Sequence, residues 1–293
     1  MQGKQPQADL KQLVDLGMQK DVQMHMRPVI EKELLHYDIL FILDKERLLD
    51  KLTFQGGTSL RLCYGAVRFS EDLDFVGGRD FTTQYLLEMK SCIEHYIGSR
   101  YGLEVEVKEP EDMVLEPESR DIHVDKWQII VVTAPGQRHI PKQKIKIEVA
   151  NIPAYSREPC SLQHNYEFLP DGYADTIVMA ETLDEIMADK LVSLVSCQAY
   201  FRYRDIWDLR WLKTQGALPN KNFVHSKIQD YNIVDYFAKL ERLKLLLPEI
   251  IHGREFKEQM SRFLPMDVQK RTIDREKYRA VLIKELKMLF SEL

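Results

Sequence analysis

The feature that most constrains the fold is a change of hydrophobic rhythm near residue 181. From about residue 53 to 180, short alternating runs lie between turn signals. Beyond that point apolar residues recur almost entirely at helical spacing. A chain of 293 residues, 44% of them hydrophobic and 30% charged, is long enough for one large domain or two modest ones. The change of rhythm predicts an N-terminal helical segment and mixed core over residues 1–180, then a helical domain over 181–293. The expected class is α+β, with a small mixed β-sheet flanked by helices and a C-terminal helical lobe.

Val22, Met26, Val29, Ile30, Leu34 and Tyr37 recur at helical spacing, with Pro28 forcing a break or a late start. Thr53-Phe54-Gln55 reads as a short strand ending at Gly56-Gly57, and Ser59 to Tyr64 as a helical turn. Leu73, Phe75 and Val76 give another strand, stopped by Gly77-Gly78, and Phe81 to Tyr101 predicts one amphipathic helix. Leu103 to Val107, Trp127 to Val132 and Lys144 to Val149 read as strands. The last of these sets Lys144, Lys146 and Glu148 on one face and the aliphatics on the other. Thr182-Leu183-Asp184-Glu185 has the spacing of a capping box, and later helices are expected around Val234–Leu247 and Arg275–Leu293.

Several function classes are disfavoured. Charges interrupt every apolar run well before the ~18 residues of a membrane span. Met1 to Lys20 is polar, unlike a secretory signal. Cys63, Cys92, Cys160 and Cys197 are scattered, which suits free thiols in a reducing compartment, so the expected location is cytoplasmic. The eight histidines show no HExxH spacing, and there is no Walker A, GxGxxG or GxSxG segment. A net charge of −5 argues against a strongly cationic nucleic-acid binder but leaves room for a local basic patch.

Chemistry concentrates in Gly56-Gly57-Thr58-Ser59-Leu60 followed by Asp72-Leu73-Asp74. Aspartates at i and i+2 on a strand share a face, with Cβ atoms roughly 6–7 Å apart. Both carboxylates then reach one Mg²⁺ or bracket two ions ~3.5–4 Å apart. Upstream, Gly56 and Gly57 permit close backbone approach, and the amides opening a helix at Thr58-Ser59 suit a phosphate. Taken singly, a Gly-Gly pair is most often a turn and Asp-x-Asp a solvated strand edge; the ordered combination is what points to a site.

These residues, with Arg68-Phe69-Ser70-Glu71-Asp72-Leu73-Asp74-Phe75, resemble the signature of the AbiEii-type nucleotidyltransferases. That family belongs to the DNA polymerase β-like nucleotidyltransferase superfamily and includes the MenT-like toxins. A second block, Glu185 to Leu191 followed by Arg204-Asp205-Ile206-Trp207-Asp208-Leu209, is similar to the family's downstream helical motif. The resemblance extends over roughly residues 30–215.

It implies that Asp72 and Asp74 ligate Mg²⁺ or Mn²⁺ and that a third acid lies on a neighbouring strand, for which Glu148 is the best candidate. Lys190 matches a lysine near the NTP phosphates, although a lysine on an amphipathic helix can equally snorkel. Asp205 matches the acid of the family's Arg-Asp motif, and its plainer role is to complement a helix N-terminus. Gly56, Gly57, Thr58, Ser59, Arg61, Arg68 and Ser70 complete the expected nucleotide-binding set. The implied activity is metal-dependent transfer of NMP from an NTP to an acceptor hydroxyl, with the tRNA 3′ end as the expected acceptor. The implied context is a toxin with a separately encoded antitoxin, or phage defence. Rival expectations are nucleotidyl transfer to a protein or small molecule, and a non-catalytic nucleotide- or RNA-binding protein of the same fold.

Overall fold

The computed structural model describes residues 8–18, 24–111, 122–137, 139–197 and 200–293. Its contacts divide the chain into two compact units. The first comprises Met1–Gly65, Phe69–Pro153 and Pro159–Ala180, and the second Ala66–Arg68, Ala154–Glu158 and Glu181–Leu293. The second unit thus recruits two short segments that a single cut near residue 180 does not include.

Among the described residues, seven strands form one mixed sheet: β1 (Thr53–Gln55), β2 (Leu73–Val76), β3 (Val105–Lys108), β4 (Val124–Val131), β5 (Gln143–Ala150), β6 (Arg157–Ser161) and β7 (Ile177–Glu181). Their order is β3-β4-β5-β2-β1-β7-β6. β2 runs parallel to β5 and antiparallel to β1, which is itself parallel to β7. Ile145, Ile147 and Val149 are buried while Lys144 and Lys146 are exposed, the alternation expected of a strand with one covered face. Phe54 and Phe75, paired across β1 and β2, stack with ring centroids 4.9 Å apart.

The helices of the first unit are α1 (Leu10–Gly17), α2 (Arg27–Lys45), α3 (Gly56–Leu62), α4 (Met89–Tyr101) and the single turn α5 (Asp171–Ala174). Pro28 sits in the first turn of α2, where its missing N–H costs no intrahelical bond. The helix therefore starts late, and Val22 lies outside the described residues. Buried Ile30, Leu34 and Ile39 of α2 and Ile93 and Ile97 of α4 supply apolar faces where the two helices pack. The single helix expected from Phe81 is instead a 3₁₀ turn at Thr83–Leu86 followed by α4. Thr82 is extended, and two consecutive β-branched residues there disfavour an α-helical start.

The second unit is helical after β7: α6 (Leu183–Ser196), α7 (Tyr203–Thr214), α8 (Lys221–Asp230), α9 (Tyr236–His252), α10 (Arg254–Ser261), α11 (Met266–Arg271) and α12 (Glu276–Ser291). Helix α6 packs against α7, α8 and α9 through Ile186, Met187, Leu191 and Leu194, all buried. Helix α9 continues through Pro248 to His252 rather than ending before it. Thr182 is the N-cap of α6 but makes no side-chain cap bond. Its hydroxyl pairs with Ser156 Oγ at 2.5 Å, and Glu185 accepts from the Tyr155 and Ser156 amides. The expected capping box is thus replaced by bonds to a segment nearly thirty residues away.

Candidate active site

The carboxylates of the first unit lie where two parallel strands run side by side. Asp74 is the register partner of Glu148 across β2 and β5. Asp72, two residues before Asp74, lies just ahead of β2, and its Oδ1 accepts from the Lys146 amide at 3.3 Å. The three side chains therefore share the sheet face opposite the core, all half-exposed. The Glu148 carboxylate makes no hydrogen bond or ion pair among the described residues.

Gly56 brings the backbone against this face. Its φ is +78°, and a Cβ built there would stand 2.6 Å from Asp74 Oδ2. Both the left-handed conformation and the close approach exclude any side chain. Thr58 and Ser59 are buried in α3. The Thr58 hydroxyl donates to the Asp72 carbonyl, so it braces the acidic strand. Arg61 is held in a fork by Glu33, with Nε to Oε2 at 2.9 Å and Nη2 to Oε1 at 3.0 Å. Ser70 is buried just ahead of Glu71.

Before Asp72 the chain is fastened to α2. His36 Nε2 lies 3.0 Å from the Glu71 carbonyl, and Lys32 Nζ lies 3.0 Å from Glu71 Oε1. A carbonyl only accepts, so the imidazole carries its proton on Nε2. Burial pushes His36 down to about 4, against the raising effects of the Glu71 carbonyl and Glu33.

Lys190 and Asp205 belong to the second unit, where they form an ion pair. Lys190 Nζ lies 2.9 Å from Asp205 Oδ1 and 3.0 Å from Asp208 Oδ2. Arg68 grips Asp208 bidentately, at 2.7 and 2.6 Å. Asp205 Oδ2 also accepts from Ser193 Oγ at 2.9 Å and from Arg202 Nε. Burial alone would raise both carboxyls, but Lys190 and Arg202 hold Asp205 low, and Arg68 and Lys190 hold Asp208 low. Asp208 was not singled out from the sequence. Its signal was its position three residues after Asp205 on the same helical face.

A second acidic group is also internally neutralised. Glu181, Glu185 and Asp189 each place a carboxylate oxygen within 4.8 Å of the others. The Lys227 ammonium sits among them, 3.1, 2.8 and 3.1 Å away respectively, and is completely buried. That cation already fills the position a metal would take. Asp72, Asp74 and Glu148 are not drawn into such a tight triad. An all-oxygen, half-exposed donor set beside a side-chain-free glycine fits a hard divalent cation.

A half-exposed acidic strand face with a glycine backbone against it is the equipment of cation-assisted phosphoryl chemistry. The family model described as "Nucleotidyl transferase AbiEii toxin, Type IV TA system" matches residues 38–282. The chain belongs to this family and is a nucleotidyltransferase. Five solved chains match. JHP933 from Helicobacter pylori is 18% identical with a TM-score of 0.47, over 90% of each chain. An H. pylori protein provisionally assigned as a nucleotidyltransferase is 15% identical with a TM-score of 0.47, over 90% of this chain and 96% of that one. No curated protein is similar enough in sequence to count as a match. Among the described residues, no helix is long and apolar enough to cross a membrane.

Proposed function

We propose that this enzyme moves a nucleoside monophosphate from an NTP to the 3′ end of a tRNA. Asp72, Asp74 and Glu148 would hold the Mg²⁺ or Mn²⁺, and a separately encoded antitoxin would restrain the toxin, in a toxin–antitoxin or phage-defence setting. The observation that carries the cation-assisted transfer is the in-register pairing of Asp74 with Glu148 beside Gly56, and the toxin–antitoxin setting is drawn from the family. When bound, the cation offsets triphosphate charge and acidifies the acceptor hydroxyl. Asp72 and Asp74 fix its place, and Gly56-Gly57 lets the triphosphate approach the backbone without meeting a side chain. The Glu148 carboxylate, which has no protein partner among the described residues, takes the proton of the attacking hydroxyl as that oxygen bonds the α-phosphorus and pyrophosphate leaves.

Arg61 and Arg68 support phosphate binding less directly than their positions in the motif imply. Each is committed to a buried carboxylate, and breaking such a pair costs about 3–5 kcal/mol. Lys190 can meet a phosphate only by sharing an ammonium already bonded to Asp205 and Asp208.

The test is incubation of the enzyme with each α-labelled NTP and total tRNA, lysate protein or small-molecule acceptors. Label at tRNA 3′ ends supports the proposal. Label confined to protein or small molecules removes the tRNA acceptor, and no label anywhere removes catalysis.

A further inference from the structure

We infer that His36 and Lys32 of α2 are positioning residues for Asp72, acting through Glu71. The inference rests on the proposal that Asp72 ligates the cation. Asp72 lies ahead of the first residue of β2, so the ladder that fixes Asp74 does not fix it in the same way. Its backbone is instead held from both sides. The Thr58 hydroxyl takes its carbonyl, and the carbonyl of the preceding residue receives the His36 Nε2 proton at 3.0 Å. Lys32, four residues before His36 and so on the same face of α2, holds the Glu71 side chain at 3.0 Å.

The two bonds differ in character. His36 is 1% exposed and packed in the helix, so its imidazole cannot follow a shift of the Glu71 peptide. Lys32 is partly exposed and adds a charge contact that opposes swinging of the Glu71 carboxylate toward the cation side. Together they fix the peptide entering Asp72, and so the point from which its carboxylate reaches the Lys146 amide at 3.3 Å. Groups that orient a ligand without touching the metal commonly matter by about 10- to 100-fold in affinity.

Binding of Mn²⁺ alone to the full chain, followed by electron paramagnetic resonance, tests this without reference to turnover. His36→Leu should weaken Mn²⁺ about tenfold, and His36→Gln, which restores an N–H of similar reach, should recover most of the loss. Lys32→Met should weaken it by a smaller factor. Asp74→Asn is the control for the site itself. If Asp74→Asn binds Mn²⁺ like the unaltered chain, the metal site is misplaced. If Asp74→Asn loses Mn²⁺ while His36→Leu and Lys32→Met bind normally, the positioning role is overturned and the site stands. Should His36→Leu fail to melt cooperatively, Lys32→Met decides alone, and unchanged affinity there overturns the inference.

Discussion

Two groups of acidic residues, one in each unit, are used in opposite ways. In the first, Asp72, Asp74 and Glu148 stand half-exposed on a sheet face, and Glu148 has no partner among the described residues. In the second, Asp205 and Asp208 are buried under Lys190, Arg68 and Arg202, and Glu181, Glu185 and Asp189 surround Lys227. A carboxylate buried against a guanidinium or ammonium has its charge answered inside the chain, and its removal strands a buried cation. A carboxylate left on a half-open face is accessible to a cation from solution, the role the proposed function gives it. Under the proposed function the first group supplies the chemistry and the second holds the fold, and both lie within the span matched by the family model.

The sharpest way to break that comparison is Glu148→Gln, which should slow nucleotidyl transfer by on the order of 100-fold or more. Its melting temperature should stay near that of the unaltered chain, because no partner is stranded. A fall in stability without loss of rate, measured by initial rates beside thermal melts, would place Glu148 with the structural acids.

Lys227→Met and Asp208→Ala should do the reverse. Each leaves buried charge unanswered and should cost about 3–5 kcal/mol in urea unfolding. Glu181 moderates the first loss, because burial, reinforced by Asp189, already pushes its carboxyl well up toward the neutral form. Asp205 and Asp208 are held below their ordinary value of 3.8, so the unfolded chain takes up their protons first. Their stabilisation is complete above that value and is lost as pH falls below it. Asp208→Asn should therefore flatten the acid limb of a stability–pH curve, and an unchanged limb would contradict the pairing.

Gly56→Ala should cost about 1–3 kcal/mol for the left-handed backbone. It should also depress transfer, since the new methyl collides with Asp74. Full activity in that variant would separate Gly56 from the site. The smallest effect is expected at Glu241→Gln, where the exposed pair with Lys244 contributes no more than about 0.5 kcal/mol. A larger loss in chemical denaturation would show that surface pairs carry more of the second unit than its buried clusters imply.

The strand–glycine–helix–strand run from Thr53 to Val76 was legible because each step has a local cause: alternation, a left-handed glycine, then alternation again. The half-open face of β5 was equally legible from Lys144, Lys146 and Glu148. What escaped was set by long-range partners. Nothing near Arg61 announces that Glu33 will neutralise it, and nothing near Glu185 announces that Tyr155 and Ser156 will take its carboxylate. Nothing near Lys227 announces that three acids from 38 or more residues earlier enclose it. Helix α4 starts late for a local reason that the apolar spacing hid, the extended Thr82.

The most direct test of the central claim is transfer from α-labelled NTP to tRNA in Mg²⁺ by the Asp72→Asn, Asp74→Asn double variant, with its melting curve recorded alongside. The account predicts that transfer is abolished while the fold melts at or above the temperature of the unaltered chain, because carboxylate repulsion is relieved. Undiminished transfer by a folded double variant would contradict it.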